Sequence, residues 1–180
     1  MSTRPEISST RRRWLYGTVG AIAGVTGMAS YWSGRREHAG ATSRAPIWDS
    51  SFASLSGPPT QLRDFAGKPL LLNFWATWCP PCIEEFPLLD DFYRKNRPNG
   101  WQVLGLAVDQ AKAVETFLQR NGVSFPIAMA GLAGIELSRT LGNLSGGLPF
   151  TIVFGANGEV LQRRIGRISE QDLRTWSSLR

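Results

Sequence analysis

Both cysteines of this 180-residue chain fall within one pentapeptide, Trp78-Cys79-Pro80-Pro81-Cys82, directly after the apolar run Leu70 to Trp75 and before a helix-like stretch from Ile83. The run predicts a strand and the stretch a helix, so the chain must fold around a strand–loop–helix unit with two sulfurs at the turn. The first sulfur then faces the partly positive N-terminus of the helix, which favours its thiolate. Two plainer uses of the pair compete. Structural zinc takes four ligands, and the chain offers no other cysteine and one histidine, His38, far upstream, so no metal site is expected. A permanent disulfide across so short a loop removes little entropy from the unfolded chain, which makes a structural staple the weaker alternative. A redox-active dithiol is the leading reading.

The charge is unevenly spread. The formal balance is +6, but residues 1–45 carry seven arginines against Glu6 and Glu37, or +5, and the remainder carries 13 bases against 12 acids, or +1. The basicity belongs to the leader and gives no case for nucleic-acid binding. After Arg11-Arg12-Arg13, the segment Trp14 to Trp32 contains no charge. As a helix it would be roughly 28 Å long, close to the ~30 Å hydrocarbon thickness of a bilayer. Trp14 and Tyr16 at one end and Tyr31 and Trp32 at the other suit the two interfaces. The predicted order is a basic cytoplasmic n-region over 1–13, a transmembrane anchor or signal h-region over 14–32, a polar linker over 33–45 and one folded domain over 46–180. An inner-membrane protein with a periplasm-facing domain is expected. Gly27-Met28-Ala29 has the small-x-small form of a cleavage site, which leaves a soluble periplasmic product as the alternative. Thr10 to Leu15 also resembles a twin-arginine signal.

Within the domain, strand and helix signals alternate. Leu70 to Trp75 follows the turn Gly67-Lys68-Pro69 and suits a strand buried on both faces. Ile83, Phe86, Leu89 or Asp90, and Tyr93 recur at helical spacing, up to the stop signal Arg97-Pro98-Asn99-Gly100. Val103 to Val108 reads as a second buried strand, 111–121 as an amphipathic helix, 125–129 as a short extended piece and 132–141 as a helix. Phe150 to Phe154 and Val160 to Arg164 predict a hairpin with a two-residue turn at Asn157-Gly158. Ser169 with Asp172 suits the cap of a closing helix that runs to Leu179. The pattern predicts an α/β domain with a mixed central sheet and helices on both faces.

Leu72-Asn73-Phe74-Trp75-Ala76-Thr77-Trp78-Cys79-Pro80-Pro81-Cys82, followed by Glu84-Glu85-Phe86-Pro87, resembles the thioredoxin superfamily. The likeness is to its redoxin-like, exported TlpA-like branch, which includes membrane-anchored thiol-disulfide reductases of cytochrome c maturation. Gly146-Gly147-Leu148-Pro149-Phe150-Thr151 is similar to the cis-proline loop of that family, and the likeness runs from about Ile47 to the C-terminus. The resemblance implies a thioredoxin-like fold and a thiol-disulfide oxidoreductase, a protein-disulfide reductase whose redox-active disulfide needs no cofactor. Cys79, nearer the surface, attacks a target disulfide, and the more buried Cys82 releases the reduced target. Pro80 and Pro81 stiffen the loop and tune its redox poise, and Trp78 is either a lid over the sulfurs or an aromatic between loop and core. Pro149 is expected cis against the dithiol, with the Leu148 backbone pairing to an extended substrate. The implied partners are disulfide-containing exported proteins such as apocytochrome c, together with a membrane electron donor that re-reduces the pair.

One position departs from that pattern. Cytosolic thioredoxins carry a buried acid six residues before the first cysteine, where this chain has Asn73, and an amide is no general base. Proton transfer then falls to water or to another carboxylate. Glu84 and Glu85 are near in sequence, although charges on such a helix are ordinarily solvated. A copper chaperone would be expected to show a wider cysteine spacing and a histidine near the proline loop. A thiol peroxidase would be expected to show the threonine-proline context that activates a peroxidatic cysteine; this chain has neither set, so the two stand as the lesser alternatives on the same fold.

Overall fold

The structure, a computed structural model, describes residues 46–179; the segments assigned above to n-region, anchor and linker, and His38 with them, lie outside the described residues. The elements are a 3-10 turn Pro46–Asp49, β1 Ser51–Ser54, β2 Thr60–Gln61, a 3-10 turn Leu62–Phe65, β3 Leu70–Trp75, α1 Pro80–Asn96, a 3-10 turn Arg97–Asn99, β4 Gln102–Ala107, α2 Ala111–Arg120, β5 Ile127–Met129, α3 Gly134–Thr140, β6 Phe150–Phe154, β7 Val160–Ile165 and α4 Glu170–Ser177. The strands form one mixed sheet in the order β2-β1-β5-β4-β3-β6-β7. β3, β4 and β5 run parallel, whereas β6 is antiparallel to β3 and β1 is antiparallel to β5. The α/β expectation holds.

The central strand explains the layering. All six residues of β3 are buried, because both faces of the sheet are covered. Leu71 and Trp75 point into a core with Phe86, Leu89 and Phe92 of α1, Val114 of α2 and Leu173 and Trp176 of α4. Leu70, Leu72 and Phe74 point into the opposite core, with Ile47, Trp48 and Leu62 from the start of the domain and Ile135 and Leu137 of α3. Burial of each large apolar side chain contributes about 1.5–3 kcal/mol. An aromatic group fixes α1 against the sheet: the Trp75 ring lies 4.5 Å from Phe86 and 5.4 Å from Phe117, and Phe86 lies 5.7 Å from Phe125.

Several expectations need correction. α1 begins at Pro80, three residues before the apolar periodicity starts, because prolines suit the first helical turn, where no N–H is needed. It runs on through Pro87 to Asn96, as the helical spacing up to Arg97 predicts. β1 and β2 have no counterpart in the sequence reading, since segments so short carry little periodicity. The β6–β7 connection is longer than a two-residue turn: Gly155 N donates to Glu159 O, Gly158 N to Gly155 O, and the register shifts at Val153/Phe154. The cap on α4 is as expected, with Ser169 and Asp172 each bonding the backbone N–H of the other.

Gly105 on β4 marks the tightest packing near the centre. A Cβ there would fall 2.5 Å from Ile127 Cδ1, 3.2 Å from Trp75 Nε1 and 3.3 Å from Phe125 Cε2. Gly105→Ala should lower unfolding stability by about 1–3 kcal/mol. Ile127→Val removes the nearest atom and should recover part of that loss in the double variant, as read by denaturant titration; strict additivity of the two costs would refute the contact.

Candidate active site

The dithiol loop is set by the end of β3. Beyond Trp75, whose carbonyl accepts from Val108 N at 2.8 Å, Thr77 donates through its N–H at 2.9 Å and its Oγ1 at 2.6 Å to Asp109 Oδ2. Asp109 Oδ1 accepts from Gln110 N at 2.7 Å. The turn after β4 thus clasps the loop two residues before the first cysteine. Sequence reasoning missed Asp109, because only strand register reveals that β4 ends beside β3.

Cys79 is the N-cap of α1, and its carbonyl accepts from the N–H groups of Cys82 and Ile83. Pro80 and Pro81 fill the first turn and leave the helix N-terminus with fewer free donors than usual. The two sulfurs are joined, with Cα atoms 5.3 Å apart. Both cysteines are buried in the expected order, Cys79 at 4% exposure and Cys82 at 0%. Trp78 is 63% exposed, so it does not bridge loop and core.

The Leu148-Pro149 bond is cis. Its position follows from register: Phe150 pairs with Phe74 beside Trp75, so the loop preceding β6 emerges at the same end of the sheet as the cysteines. Leu148 is partly buried against the cluster that contains both of them. The loop is held by Asn143, whose Nδ2 donates to Gly147 O at 2.8 Å and to Ser138 Oγ at 3.1 Å, while Pro149 O accepts from Gly166 N at 2.8 Å.

The two glutamates separate. Glu84 is exposed and pairs with Arg167. Glu85 is fully buried, which corrects the expectation of a solvated side chain. It lies three residues after Cys82 on the same helix, a spacing that places neighbours on one face. Its Oε1 accepts from Asn73 Nδ2 at 2.7 Å and its Oε2 from Ile168 N at 3.0 Å. Asn73 Nδ2 also donates to Thr151 Oγ1 at 3.0 Å. Burial pushes the Glu85 carboxyl up to about 7, against the opposing pull of the Ile168 and Asn73 hydrogen bonds and the Arg167 charge. Two polar atoms on this face of β3, Asn73 Oδ1 and Trp75 Nε1, are buried without a partner. A signal for Glu85 did exist: Cys82, Glu85, Phe86, Leu89 and Phe92 form one helical stripe, all of them buried. Among the described residues, no group of three His, Cys, Asp or Glu is placed to hold a metal ion, and no helix is long and apolar enough to cross a membrane.

Known proteins are similar to this chain in sequence and fold. The family model described as Redoxin matches residues 41–176. The thiol-disulfide oxidoreductase ResA of Geobacillus kaustophilus is 34% identical over 126 residues, 69% of this chain and 70% of the relative. ResA of Bacillus thuringiensis subsp. konkukian is 32% identical over 123 residues, 68% of this chain and 69% of the relative. Among solved structures, a thiol:disulfide interchange protein of the thioredoxin family from Chlorobium tepidum superposes with a TM-score of 0.64 at 28% identity, covering 75% of this chain and 94% of the other. A thioredoxin-related protein from Neisseria meningitidis serogroup B gives 0.63 at 29% identity, covering 71% and 96%. With its paired cysteines at the head of a helix on a thioredoxin-like α/β fold, the chain belongs to the Redoxin family and is a thiol-disulfide oxidoreductase.

Proposed function

We propose that this oxidoreductase works as a reductase of exported proteins, with Cys79 as the attacking sulfur, Cys82 as the resolving sulfur and Glu85 as the acceptor of the Cys82 proton. The observation that carries the assignment of Glu85 is its burial on the helical face of Cys82, with a carboxyl titrating near neutrality. The Cys79 thiolate attacks a target disulfide and forms a mixed disulfide. The Cys82 thiol gives its proton to the Glu85 carboxylate and attacks Cys79 Sγ. The target leaves as a thiolate that takes a proton from water, and the enzyme is left with the Cys79–Cys82 disulfide. Asn73 positions the carboxylate and transfers no proton itself, and Glu84 serves the surface through Arg167.

The substrate side is built around the cis-proline loop. No hydrogen bond among the described residues engages the Leu148 N–H or carbonyl, which supports pairing with an extended segment of the target. Trp78 at 63% exposure and Ile165 at 52%, which pairs with Phe150, are apolar surface at the same end of the sheet. We assign them to target contact, with Trp78 as the lid. Cysteines of apocytochrome c fit the target class. The uncharged segment 14–32 is the membrane anchor that leads to a domain over 46–180 outside the cytoplasm, and in that oxidising compartment a membrane donor must return the electrons. Expression of full-length Cys82→Ser should trap mixed disulfides on Cys79 with exported proteins; absence of any trapped protein would overturn the reductase assignment.

Glu85→Gln should slow release of the target by about 10²-fold or more, and should remove the inflection near pH 7 from the rate profile measured by stopped-flow. An unchanged profile would discard the proton-acceptor role. The same carboxyl leaves a mark on stability. Its ordinary value is 4.5 and its folded value about 7, so between these the unfolded chain releases a proton that the folded chain retains. Stability should therefore be highest below 4.5 and fall as pH rises towards 7, by about 3 kcal/mol at roughly 1.4 kcal/mol per pH unit. Denaturant titrations of Glu85→Gln should lack this slope.

A further inference from the structure

Arg163 stands apart from the other arginines of its neighbourhood. Arg139 pairs with Glu136, Arg164 with Asp172 at 3.7 Å and Arg167 with Glu84, whereas no carboxylate among the described residues pairs with Arg163. Its bond is to the backbone: Nε donates to the carbonyl of Leu141 at 2.6 Å. That bond fixes the plane of the guanidinium and leaves both Nη groups as a preset fork for a ligand.

The seat is built by the loop on which the arginine rests. Gly142 has a φ of 106°, and a Cβ there would fall 2.9 Å from Arg163 Nε and 3.0 Å from its Cδ. Glycine is therefore required twice over at this point, by the turn and by the arginine lying across it. The same loop runs on through Leu144 to Leu148-Pro149, and Asn143 braces it by donating to Gly147 O.

Register fixes the side of the sheet that the arginine occupies. On β7, Arg163 pairs with Ile152 and Ile165 with Phe150, both of which belong to the core beneath α3. Arg164 lies between them, pairs with Thr151 and turns to the other side, where Asp172 of α4 meets it. Four large apolar side chains are exposed among the described residues, and two of them flank Arg163. Ile165 lies two residues along the same side of β7, and Leu144, at 83% exposure, lies two residues beyond Gly142. Exposed apolar residues beside a charge that the protein itself does not pair have the composition of a recognition surface.

We infer that Arg163 reads a carboxylate on the target, about four extended residues from the cysteine under attack at ~3.3 Å per residue, with Leu144 and Ile165 covering the apolar residues beside it. The distance follows from register, since Leu148 precedes by four residues Ile152, the cross-strand partner of Arg163. Two parallel N–H···O bonds from the fork select the ligand by charge and by shape. The favoured targets are thus acidic beside their disulfide. The inference rests on the docking of the target along the proline loop proposed above, and adds to it a residue that determines specificity.

Peptides with serine in place of cysteine separate recognition from chemistry. A series carries one glutamate, or glutamine in its place, at each position from two to six residues on either side of the serine. Binding is measured by NMR on the oxidised full chain labelled with 15N-arginine, through the Nε–H signal of Arg163. At least one glutamate peptide should bind about tenfold more tightly than its glutamine twin and shift that signal, and the preference should shrink at high salt. Arg163→Gln should abolish the preference, and Arg163→Lys should keep only part of it, because a point charge has no fork. Arg164→Gln removes the same charge one residue away on the opposite side and should leave the preference intact. No preference at any position, or equal loss in Arg163→Gln and Arg164→Gln, would overturn the inference. So would tighter glutamate binding that leaves the Arg163 signal unmoved, a result read on the wild type that needs no variant to fold. The disulfide forms of the same peptides, given to the reduced enzyme, should follow the same ranking in kcat/KM. Failure to reduce any of them would strike the reductase reading alone, because the binding ranking does not depend on turnover.

Discussion

Everything at the active end depends on β3 having no side that faces water. A strand in the middle of a sheet covered on both faces must satisfy each polar side chain from within the protein. Asn73 is the polar residue on β3, and its amide reaches across the sheet to Thr151 and up to α1 for Glu85. Glu85 in turn takes its second donor from Ile168 beyond β7. Three separate parts of the chain are thereby joined through one carboxyl group. The burial that stabilises the sheet is also what raises the acid into the range where thiols exchange protons.

The exchange of an acid for an amide on β3 therefore moves the carboxylate and does not abolish it. Placed on α1 three residues after Cys82, it lies on the helical face of that cysteine and is fixed from two sides. Near neutrality it can accept a proton and return it, whereas a carboxyl with an ordinary value would hold too little proton affinity for a thiol to use. The instability that comes with a buried ionisable group is carried by a large apolar surround, which is a common compromise at reactive sites.

Much of this was legible in the sequence. The Cys79–Cys82 spacing, the uniformly apolar run before it and Leu148-Pro149 identified the sheet, the helix and the loop that meet at the dithiol, because each signal is local. What was not legible depends on register. Asp109 clasps Thr77 only because β4 ends beside β3, and Asn143 matters only because its loop folds back on Gly147. Glu85 was present in the pattern but was judged by its charge. Its place on the buried stripe of α1 was the better guide, since helical phase decides which side chains turn inward. β1 and β2 were missed because their pairing comes from the rest of the sheet and owes little to local preference.

The segment Gly166-Arg167-Ile168 joins these parts mechanically. Gly166 N holds the carbonyl of Pro149, and two residues later Ile168 N holds Oε2 of Glu85. The proline loop and the acid therefore hang from backbone N–H groups two residues apart. One short run of main chain thus anchors both the turn that carries the cis peptide and the only fully buried acid on α1.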